Sequence, residues 1–250
     1  MRAKKSLGQN FLRSREIIKI IIAAARLQSG ETVLEVGPGA GVLTVALLEA
    51  GARVIAVEKD DQLFSLLQEK FAAAVKNKQL ELIHADILDF SLQANKLKTY
   101  KLIANIPYYL TGRLLRKFLT SDHQPILAVL MLQKEVAERV IAKDGRGSIL
   151  SISVKAYGEP RYLKTVSAKL FSPRPKVDSA VVLIDKISRD NFRQVSEEKF
   201  FYLLKRGFAA RRKMLKNNLP LEPERFAACQ IAERARAENL KFEQWLCLAN

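Results

Sequence analysis

Polar side chains that could bind a small ligand recur where apolar, strand-like runs of the sequence end. In chain order these residues are Gly37, Gly39, Gly41, Glu58, Asp86 and Asn105. Each of them alone is typical of a turn or a helix cap. Because the carboxyl ends of parallel strands meet at one edge of a sheet, however, their repetition predicts a ligand site at that edge.

The glycine loop EVGPGAG, residues 35–41, and the acid at the end of the next strand indicate a nucleoside ligand. Glycines let the backbone pass close to a ligand near a helix N-terminus, and Glu58 can accept hydrogen bonds from both ribose hydroxyls. The spacing G-x-G-x-G differs from the G-x-G-x-x-G that seats a pyrophosphate. Glu35, the acid before the loop, suits a cationic ligand. Spacing and charge favour S-adenosylmethionine over a nicotinamide dinucleotide, although alone they leave the choice open.

The stretch NIPY, residues 105–108, has the composition of a pocket that methylates an amino group. The exocyclic nitrogen of adenine is a poor nucleophile because its lone pair is delocalised into the ring. The side-chain oxygen of Asn105 and the carbonyl of Ile106 could accept hydrogen bonds from both N–H groups and draw that lone pair out of conjugation. Pro107 would hold these acceptors rigid, and Tyr108 could stack on an extruded base. No general base is needed before transfer.

Strand and helix signals alternate over the first 185 residues. The pattern predicts strands at 32–36, 53–57, 80–84, 102–105, 126–132 and 177–184, and helices at 17–25, 42–49, 62–75 and 113–119. This alternation predicts an α/β fold with a largely parallel sheet that helices cover on both faces. Beyond Asp185 the pattern changes to short helices, including 199–208 and 209–217. We therefore expect one domain at 1–185 and a small helical domain at 186–250.

The charge balance indicates a polyanionic partner. The chain has 250 residues, with 42 Lys and Arg against 26 Asp and Glu, which gives a formal net charge of +16. Residues 1–185 carry 28 basic and 18 acidic residues, and residues 186–250 carry 14 and 8, so both parts contribute to the excess. Phosphates of a nucleic acid neutralise such a surface and release counterions. A merely soluble basic protein is the alternative.

Cysteine, histidine and hydropathy patterns narrow the class further. Cys229 and Cys247 are far apart and lack metal-binding spacing, so we expect reduced core thiols in a cytoplasmic protein. His84 and His123 are the only histidines, and no zinc or other metal is expected. The N-terminal sequence lacks a signal-peptide stretch, and no apolar run could span a bilayer.

Six segments of the chain resemble the ribosomal RNA adenine N6-dimethyltransferases, in order and over essentially the whole length. They are GQNFL (8–12), EVGPGAG (35–41), ADIL (85–88), NIPY (105–108), FSPRPKVDSA (171–180) and RRKMLKNNL (211–219). NIPY together with FSPRPKVDSA is highly specific, whereas the glycine loop alone is not. The best match within the family is to the bacterial small-subunit enzymes. There the residue at 106 is more often Leu, and this swap keeps the backbone carbonyl in place.

The resemblance implies a Rossmann-like methyltransferase domain with a mostly parallel seven-stranded sheet, followed by a small all-helical C-terminal domain that binds RNA. It also implies a monomer that dimethylates the N6 groups of two adjacent adenines, with S-adenosylmethionine as methyl donor. The adenines lie in the 3′-terminal hairpin loop of 16S ribosomal RNA, within the small (30S) subunit or its precursor. The reaction would belong to late ribosome assembly.

The same resemblance assigns roles to individual positions. Asn105, Ile106, Pro107, Tyr108 and Phe171 would be catalytic, with Phe171 as a second aromatic ring beside the target base. A core phenylalanine before a Pro-rich turn explains Phe171 equally well. The implied cofactor-binding residues are Gln9, Asn10, Leu12, Gly37, Gly39, Glu58, Asp86, Ile87 and Asn105, and the segment 9–11 would cover the cofactor from the N-terminal side.

Basic residues at two places are predicted to contact RNA. Those that could flank the pocket mouth are Lys4, Lys5, Arg113 and Arg116. Those clustered across two predicted helices of the second domain are Lys205, Arg206, Arg211, Arg212, Lys213 and Lys216. Such a run is often only a solvated face. Because Phe208, Met214 and Leu215 are interspersed, we expect the helices to pack as well, so that only some of these charges meet phosphate.

Three other functions share part of this pattern. A macrolide-resistance methyltransferase of large-subunit RNA has the same catalytic motifs but lacks the RRKMLKNNL segment. A basic RNA-binding assembly or transcription factor could keep the fold without catalysis, although intact Glu58, Asp86, Asn105 and Tyr108 argue against lost activity. A nicotinamide-dependent dehydrogenase ranks last, because the glycine spacing is unsuitable and no histidine is predicted near the site.

Overall fold

The computed structural model describes residues 9–94, 97–142 and 146–250. Lys4 and Lys5 lie outside the described residues. The chain divides into two compact units, of which the first holds residues up to Ala137 together with Arg161–Ile187. The second holds Glu138–Pro160 and Ser188–Asn250. The boundary between Ile187 and Ser188 lies near the domain boundary predicted at 185. The sequence predicted only that one boundary, whereas residues 138–160 also belong to the second unit.

The secondary structure alternates strongly in the first unit and is mainly helical in the second. In chain order the elements are β1 (Phe11–Leu12), α1 (Arg15–Ala25), β2 (Thr32–Val36), α2 (Val42–Glu49), β3 (Arg53–Glu58), α3 (Asp61–Lys70), α4 (Ala72–Lys76), β4 (Leu80–His84), β5 (Lys101–Asn105), α5 (Thr111–Leu119), β6 (Leu127–Gln133), α6 (Lys134–Ile141), α7 (Ile149–Lys155), β7 (Glu159–Val166), β8 (Phe171–Ser172), β9 (Ser179–Asp185), α8 (Glu197–Ala209), α9 (Pro223–Ala228) and α10 (Phe242–Ala249).

Seven strands of the described chain form one sheet in the order β4-β3-β2-β5-β6-β9-β7. The first five strands in this order, β4, β3, β2, β5 and β6, are parallel to one another. Strand β9 runs antiparallel to β6. These strands carry nearly continuous apolar runs, such as LAVLMLQ in β6, because both faces of a parallel sheet are covered. The predicted mostly parallel seven-stranded sheet is therefore confirmed. A separate antiparallel pair joins β1 to β8, with Leu12 opposite Phe171.

The register of the central strands brings the polar residues together. Val36 of β2 lies opposite Val57 of β3 and Ala104 of β5. The next residue of each strand, which is Gly37, Glu58 or Asn105, therefore emerges at the same level of one edge. Because strands of a sheet lie about 4.8 Å apart, the three positions are close neighbours across the edge.

Helix α1 seals one side of the core of the first unit. Ser14 caps it by accepting a hydrogen bond from the Ile17 amide at 3.4 Å, and Ile17, Ile18 and Ile21 are buried against the sheet. Burying a side chain of this size contributes about 1.5–3 kcal/mol. The spacing of these isoleucines predicts the buried face, and the structure has the helix at this place.

The second unit is held together by aromatic packing. Tyr157, Phe192, Phe200 and Phe201 contact one another with ring centroids 5.1 to 6.1 Å apart. Trp245 of α10 is completely buried and stacks on Phe208 of α8 at 5.6 Å. Since Tyr157 comes from the segment 138–160, that segment supplies part of the core of the second unit.

The predicted continuous helix over 209–217 is wrong, because beyond α8 only Leu215–Asn217 of this range form a short 3-10 helix. Helix α8 ends at Ala209, and the Asn218 side-chain amide donates hydrogen bonds to the carbonyls of Gly207 and Ala210 at 3.0 and 3.2 Å. These bonds satisfy carbonyls that a continuing helix would have used. The basic run Arg211–Lys213 therefore lies in a turn. The predicted helix over 62–75 is likewise divided at Phe71 into α3 and α4.

The expectation of reduced thiols is also wrong, because Cys229 and Cys247 form a disulfide. Cys229 follows α9 and Cys247 lies in α10, with Cα atoms 5.7 Å apart. The Arg225 guanidinium donates to the Cys247 carbonyl, and the Gln244 amide donates to the Gln230 carbonyl at 2.9 Å. Hydrogen bonds between α9, the residues that follow it and α10 thus accompany the joining of cysteines that are 18 residues apart in the chain.

No helix in the described ranges is long and apolar enough to cross a membrane. Within those same ranges, no group of three or more His, Cys, Asp and Glu side chains is arranged to hold a metal ion.

Candidate active site

A cavity in the first unit collects the residues that the sequence placed at strand ends. The predicted catalytic and cofactor-binding residues that line it are Gln9, Asn10, Leu12, Gly37, Gly39, Glu58, Asp86, Ile87, Asn105, Ile106, Pro107, Tyr108 and Phe171. The structure therefore brings this whole set together.

The glycine loop leaves room at the cavity wall. Gly37 has a φ of 64°, which is the left-handed region that favours glycine, and a Cβ placed there would meet no atom within 4 Å. Gly39, by contrast, would touch the Phe11 ring at 3.1 Å if it carried a Cβ. A ligand can therefore approach the backbone at Gly37, while the Phe11 ring packs over Gly39.

Glu58 is the acid that the loop and β3 hold in common. Its Oε2 accepts a hydrogen bond from the Gly39 amide at 3.2 Å, and its Oε1 accepts one from the Asp60 amide at 2.9 Å. Burial raises the pKa of Glu58 above its ordinary value. Because a carboxylate has about four acceptor sites, each oxygen can still accept a bond from a ligand hydroxyl.

Asp86 combines a local structural role with a position on the cavity. Its Oδ1 accepts a hydrogen bond from the Leu88 amide at 2.9 Å, and its Oδ2 lies 2.8 Å from the Lys59 ammonium. The hydrogen bond from Lys59 lowers the pKa of Asp86, so the carboxylate is ionised at neutral pH. Asp86 can therefore act both as a turn residue and as a ligand-binding group.

Glu35 behaves differently from the carboxylate that the sequence suggested. It is 1% exposed and accepts a hydrogen bond from the Thr44 hydroxyl at 2.7 Å. Burial raises the pKa of Glu35 to about 8. The group is therefore mostly neutral at pH 7, so a preformed negative charge beside the glycine loop is not what favours a cationic ligand.

The amide of Asn105 is oriented by the chain's N-terminal segment. Its Nδ2 donates a hydrogen bond to the Asn10 carbonyl at 3.2 Å, which leaves Oδ1 as an acceptor. The Ile106 amide donates to the Met131 carbonyl at 3.2 Å, so the backbone at this turn is fixed to β6. Within the described part of the chain, no group donates a hydrogen bond to the Ile106 carbonyl. Two acceptors, Asn105 Oδ1 and the Ile106 carbonyl, therefore belong to consecutive residues at the end of β5.

Aromatic residues line the same cavity as these acceptors. Tyr108 is half-buried and its phenol lies 3.0 Å from the Ser179 hydroxyl, whereas Tyr109 is 56% exposed. Phe171 is 5% exposed and belongs to the apolar core as well as to the cavity wall. Both interpretations of Phe171 from the sequence are therefore compatible with the structure.

Residues 9–13, of which 9–12 line the cavity, form a segment that we call the strap. The Gln9 side chain donates to Asp60 Oδ2 at 3.2 Å, β1 pairs with β8, and the Arg13 amide donates to the Leu170 carbonyl at 2.9 Å. These contacts attach the strap to two separate parts of the first unit. The sequence alone offered no derivation of this segment's place.

The predicted RNA-contacting residues that the structure describes are exposed. Arg113 and Arg116 lie on α5 of the first unit. In the second unit, Lys205, Arg206, Arg211, Arg212, Lys213 and Lys216 are exposed. Lys216 pairs with Glu233 at 2.6 Å, and Arg206 lies over the Tyr202 ring at 5.7 Å. These two charges are thus already engaged within the protein.

Sequence reasoning missed three supporting residues. Asp60 caps α3, accepting from the Gln62 and Leu63 amides at 3.0 and 3.1 Å, and also holds Gln9. An Asp before an apolar helical run is a cap signal, so this residue could have been found. Lys59 and Ser179 give no such local signal, because their partners Asp86 and Tyr108 are distant in sequence.

Comparison with known proteins places this geometry in a family. A family model described as ribosomal RNA adenine dimethylase matches residues 1–250. Ribosomal RNA small subunit methyltransferase A from Dehalococcoides mccartyi is 42% identical over 262 residues, covering 99% of this chain and 88% of that protein.

Two solved structures share the fold over nearly the whole chain. A dimethyladenosine transferase from Plasmodium falciparum aligns with a TM-score of 0.81 and 28% identity, covering 95% of each chain. The 23S rRNA methyltransferase ErmE aligns with a TM-score of 0.79 and 27% identity, covering 96% of this chain and 98% of that one. The fold is that of Rossmann-like RNA methyltransferases. With the family model matching from end to end, the chain belongs to the ribosomal RNA adenine dimethylase family of enzymes.

Proposed function

We propose that this enzyme dimethylates the N6 groups of two adjacent adenines in the 3′-terminal hairpin loop of 16S ribosomal RNA. The substrate is the small (30S) subunit or its precursor, and the reaction falls late in ribosome assembly. The observation that carries the chemistry is the pair of acceptors, Asn105 Oδ1 and the Ile106 carbonyl, beside the half-buried Tyr108. The choice of subunit follows the name of the Dehalococcoides mccartyi relative.

The cavity fits S-adenosylmethionine as the methyl donor. Glu58 would accept hydrogen bonds from the ribose hydroxyls, because each of its oxygens already takes one backbone amide and can accept another bond. Gly37 leaves open space where the donor would pass, and Asp86, Ile87 and Leu12 line the rest. When bound, the donor supplies an electrophilic methyl group on a sulfonium.

The protein's own groups would prepare the acceptor nitrogen. Asn105 Oδ1 and the Ile106 carbonyl accept hydrogen bonds from the adenine amino group, so that its lone pair turns out of the ring plane. Tyr108 stacks on the base and holds it in place. The nitrogen becomes acidic as it is alkylated, and its proton can leave without a dedicated base. The strap formed by residues 9–13 would exclude water from this side of the cavity.

The wider setting of the enzyme belongs to the same proposal. Exposed basic residues on α5 and in the second unit would contact the RNA backbone. We expect a monomer that works in the cytoplasm, where small subunits are assembled.

The test is methylation of defined substrates. The purified protein is incubated with small subunits that lack the adenine methyl groups and, separately, with naked large-subunit RNA, each with labelled donor. Mass spectrometry of the digested RNA should find dimethyladenosine at two adjacent small-subunit positions. Transfer only to large-subunit RNA would favour the macrolide-resistance activity instead, and binding of the small subunit without transfer would favour a non-catalytic assembly or transcription factor.

An Asn105→Ala variant tests the chemistry in the same assay. Loss of one transition-state acceptor should slow methyl transfer by about 100-fold to 1,000-fold. Asn77→Ala, which removes an exposed amide at the end of α4, is the matched control and should transfer at the wild-type rate. A normal rate for Asn105→Ala would contradict the proposed role of that amide.

The second candidate is a large-subunit adenine methyltransferase. The observation in its favour is the structural match to ErmE over nearly the full length of both chains. That match shares the fold with the first candidate, so it does not separate the two substrates. The paired-substrate experiment does.

A further inference from the structure

The segment FSPRPKVDSA places a buried hydroxyl against the ring that would stack on the target base. Ser179 is 1% exposed, and its Oγ lies 3.0 Å from the Tyr108 phenolic oxygen. The two residues are 71 positions apart in the chain. The contact between Ser179 and Tyr108 therefore depends on the tertiary fold and not on residues near Tyr108 in the sequence.

The backbone holds Ser179 rigidly. It is the first residue of β9 and lies opposite Gln133 of β6 in the central sheet. Just before it, the Asp178 carbonyl accepts a hydrogen bond from the Lys134 amide at 3.0 Å, and Asp178 Oδ1 accepts one from the Ala168 amide at 2.9 Å. The backbone of Ser179 is thus a fixed point of the scaffold, and only one side-chain torsion separates the hydroxyl from it.

The Tyr108 side chain is less enclosed than Ser179. Tyr108 begins a short 3-10 turn after Pro107, it is half-buried, and it forms part of the cavity wall. A tyrosine ring can rotate about two side-chain torsions, and one of them is broad. A hydrogen bond at the far end of the ring restricts both torsions.

We propose that Ser179 is a positioning residue for methyl transfer, because it anchors the Tyr108 phenol and so sets the plane on which the target adenine stacks. This inference rests on the proposed function, since the base in question is the acceptor of that reaction. Phe171, from the same segment, lines the same cavity, so residues 171–180 supply both an aromatic wall and the anchor of the other ring. The contact acts on the acceptor side and leaves donor binding unchanged.

The test compares Ser179→Ala, Tyr108→Phe and the double variant in single-turnover methyl transfer at saturating donor. Each single change removes the same hydrogen bond and should slow transfer roughly threefold to tenfold, which is the effect of one net hydrogen bond. The double variant should be no slower than the slower single variant. The affinity for S-adenosylhomocysteine should stay at the wild-type value in all three.

A matched control exists on β7. Tyr162 and Thr165 form an equivalent phenol–hydroxyl contact at 2.8 Å, on the surface and outside the cavity lining. Tyr162→Phe should transfer methyl groups at the wild-type rate. The inference is overturned if Ser179→Ala keeps the full rate, if the two losses multiply in the double variant, or if donor affinity falls in parallel with the rate.

A second measurement needs no substrate. In protein labelled with fluorotyrosine, the Tyr108 fluorine signal is assigned through Tyr108→Phe, and its relaxation reports ring mobility. Ser179→Ala should make this ring markedly more mobile, and an unchanged ring would overturn the anchor. Wild-type protein that methylates neither RNA would defeat the proposed function, while this measurement would still decide whether Ser179 holds the ring.

Discussion

Glu35 shows how a single buried acid links the cavity to stability. Its folded-state pKa of about 8 lies above the ordinary value of 4.5. The folded protein therefore holds a proton that the unfolded chain releases at lower pH. The stability associated with this proton is complete below pH 4.5 and is lost as the pH rises through about 8.

Replacing Glu35 with Gln should remove this pH dependence. The amide stays neutral and can still accept the hydrogen bond from Thr44. We expect the variant's free energy of unfolding to match the wild type at or below pH 4.5 and to exceed it by a few kcal/mol near pH 8. Denaturant titrations at several pH values measure this, with the exposed Glu49→Gln on α2 as control. Parallel pH curves for wild type and Glu35→Gln would contradict it.

At the residue scale, the sequence predicted where the site residues lie better than it predicted their protonation and their hydrogen-bond partners. Residue type and strand order are enough to place Glu58, Asp86 and Asn105 at one edge, because register follows from the apolar runs. The protonation of Glu35 depends on how completely packing excludes water, which no local pattern encodes. The pairing of Tyr108 with Ser179 depends on a fold that joins distant segments.

Among the elements, the glycine loop has one glycine beside the ligand cavity and another packed against the core. Gly37 and Gly41 both have left-handed φ values, 64° and 73°. A Cβ at Gly37 meets open space, whereas a Cβ at Gly41 would lie 2.5 Å from the Phe71 ring. The two glycines are therefore needed for different reasons.

The two alanine variants should fail differently. Gly37→Ala should cost about 1–2 kcal/mol of stability through backbone strain and should weaken donor binding, because the new methyl group stands beside the cavity. Gly41→Ala should cost about 1–3 kcal/mol more than that, since the ring of Phe71 must also shift. Denaturant unfolding and titration with S-adenosylhomocysteine measure both effects. Equal stability losses in the two variants would contradict the assigned contacts.

The elements themselves were predictable where one rule dominated. Apolar runs and spacing place the central strands and α1 within about two residues, because burial on two faces or one face decides those elements. The predicted helix at 209–217 failed because Asn218, downstream of the run, caps α8 from outside it. The disulfide was missed for a related reason, since only the fold of the second unit brings its cysteines, 18 residues apart in the chain, together.

For the whole molecule, the net charge of +16 favours RNA binding, and the exposed basic residues are the ones that can contact phosphates. Arg211 and Arg212 lie exposed in the turn after α8. Replacing both with Ala should weaken small-subunit RNA binding and reduce the slope of log affinity against log salt by about 2. Filter binding over a range of salt concentrations measures the slope.

The control for this variant removes the same charge elsewhere. Lys19 and Lys76 are exposed on the first unit and lie outside the predicted RNA-contacting set. Their double replacement with Ala should leave the slope close to that of the wild type. If both double variants change the slope equally, the effect belongs to overall charge and not to Arg211 and Arg212.

The path of the chain between the two units has a consequence for recombination. The chain leaves the first unit after Ala137, contributes Tyr157 to the aromatic core of the second, and returns at Arg161. Exchange of the second unit with a relative by one crossover near residue 186 would therefore join a foreign set of phenylalanines to a resident tyrosine. A well-matched hybrid needs two junctions, one in α6 and one after Ile187, with the insert 138–160 carried along with its own partners.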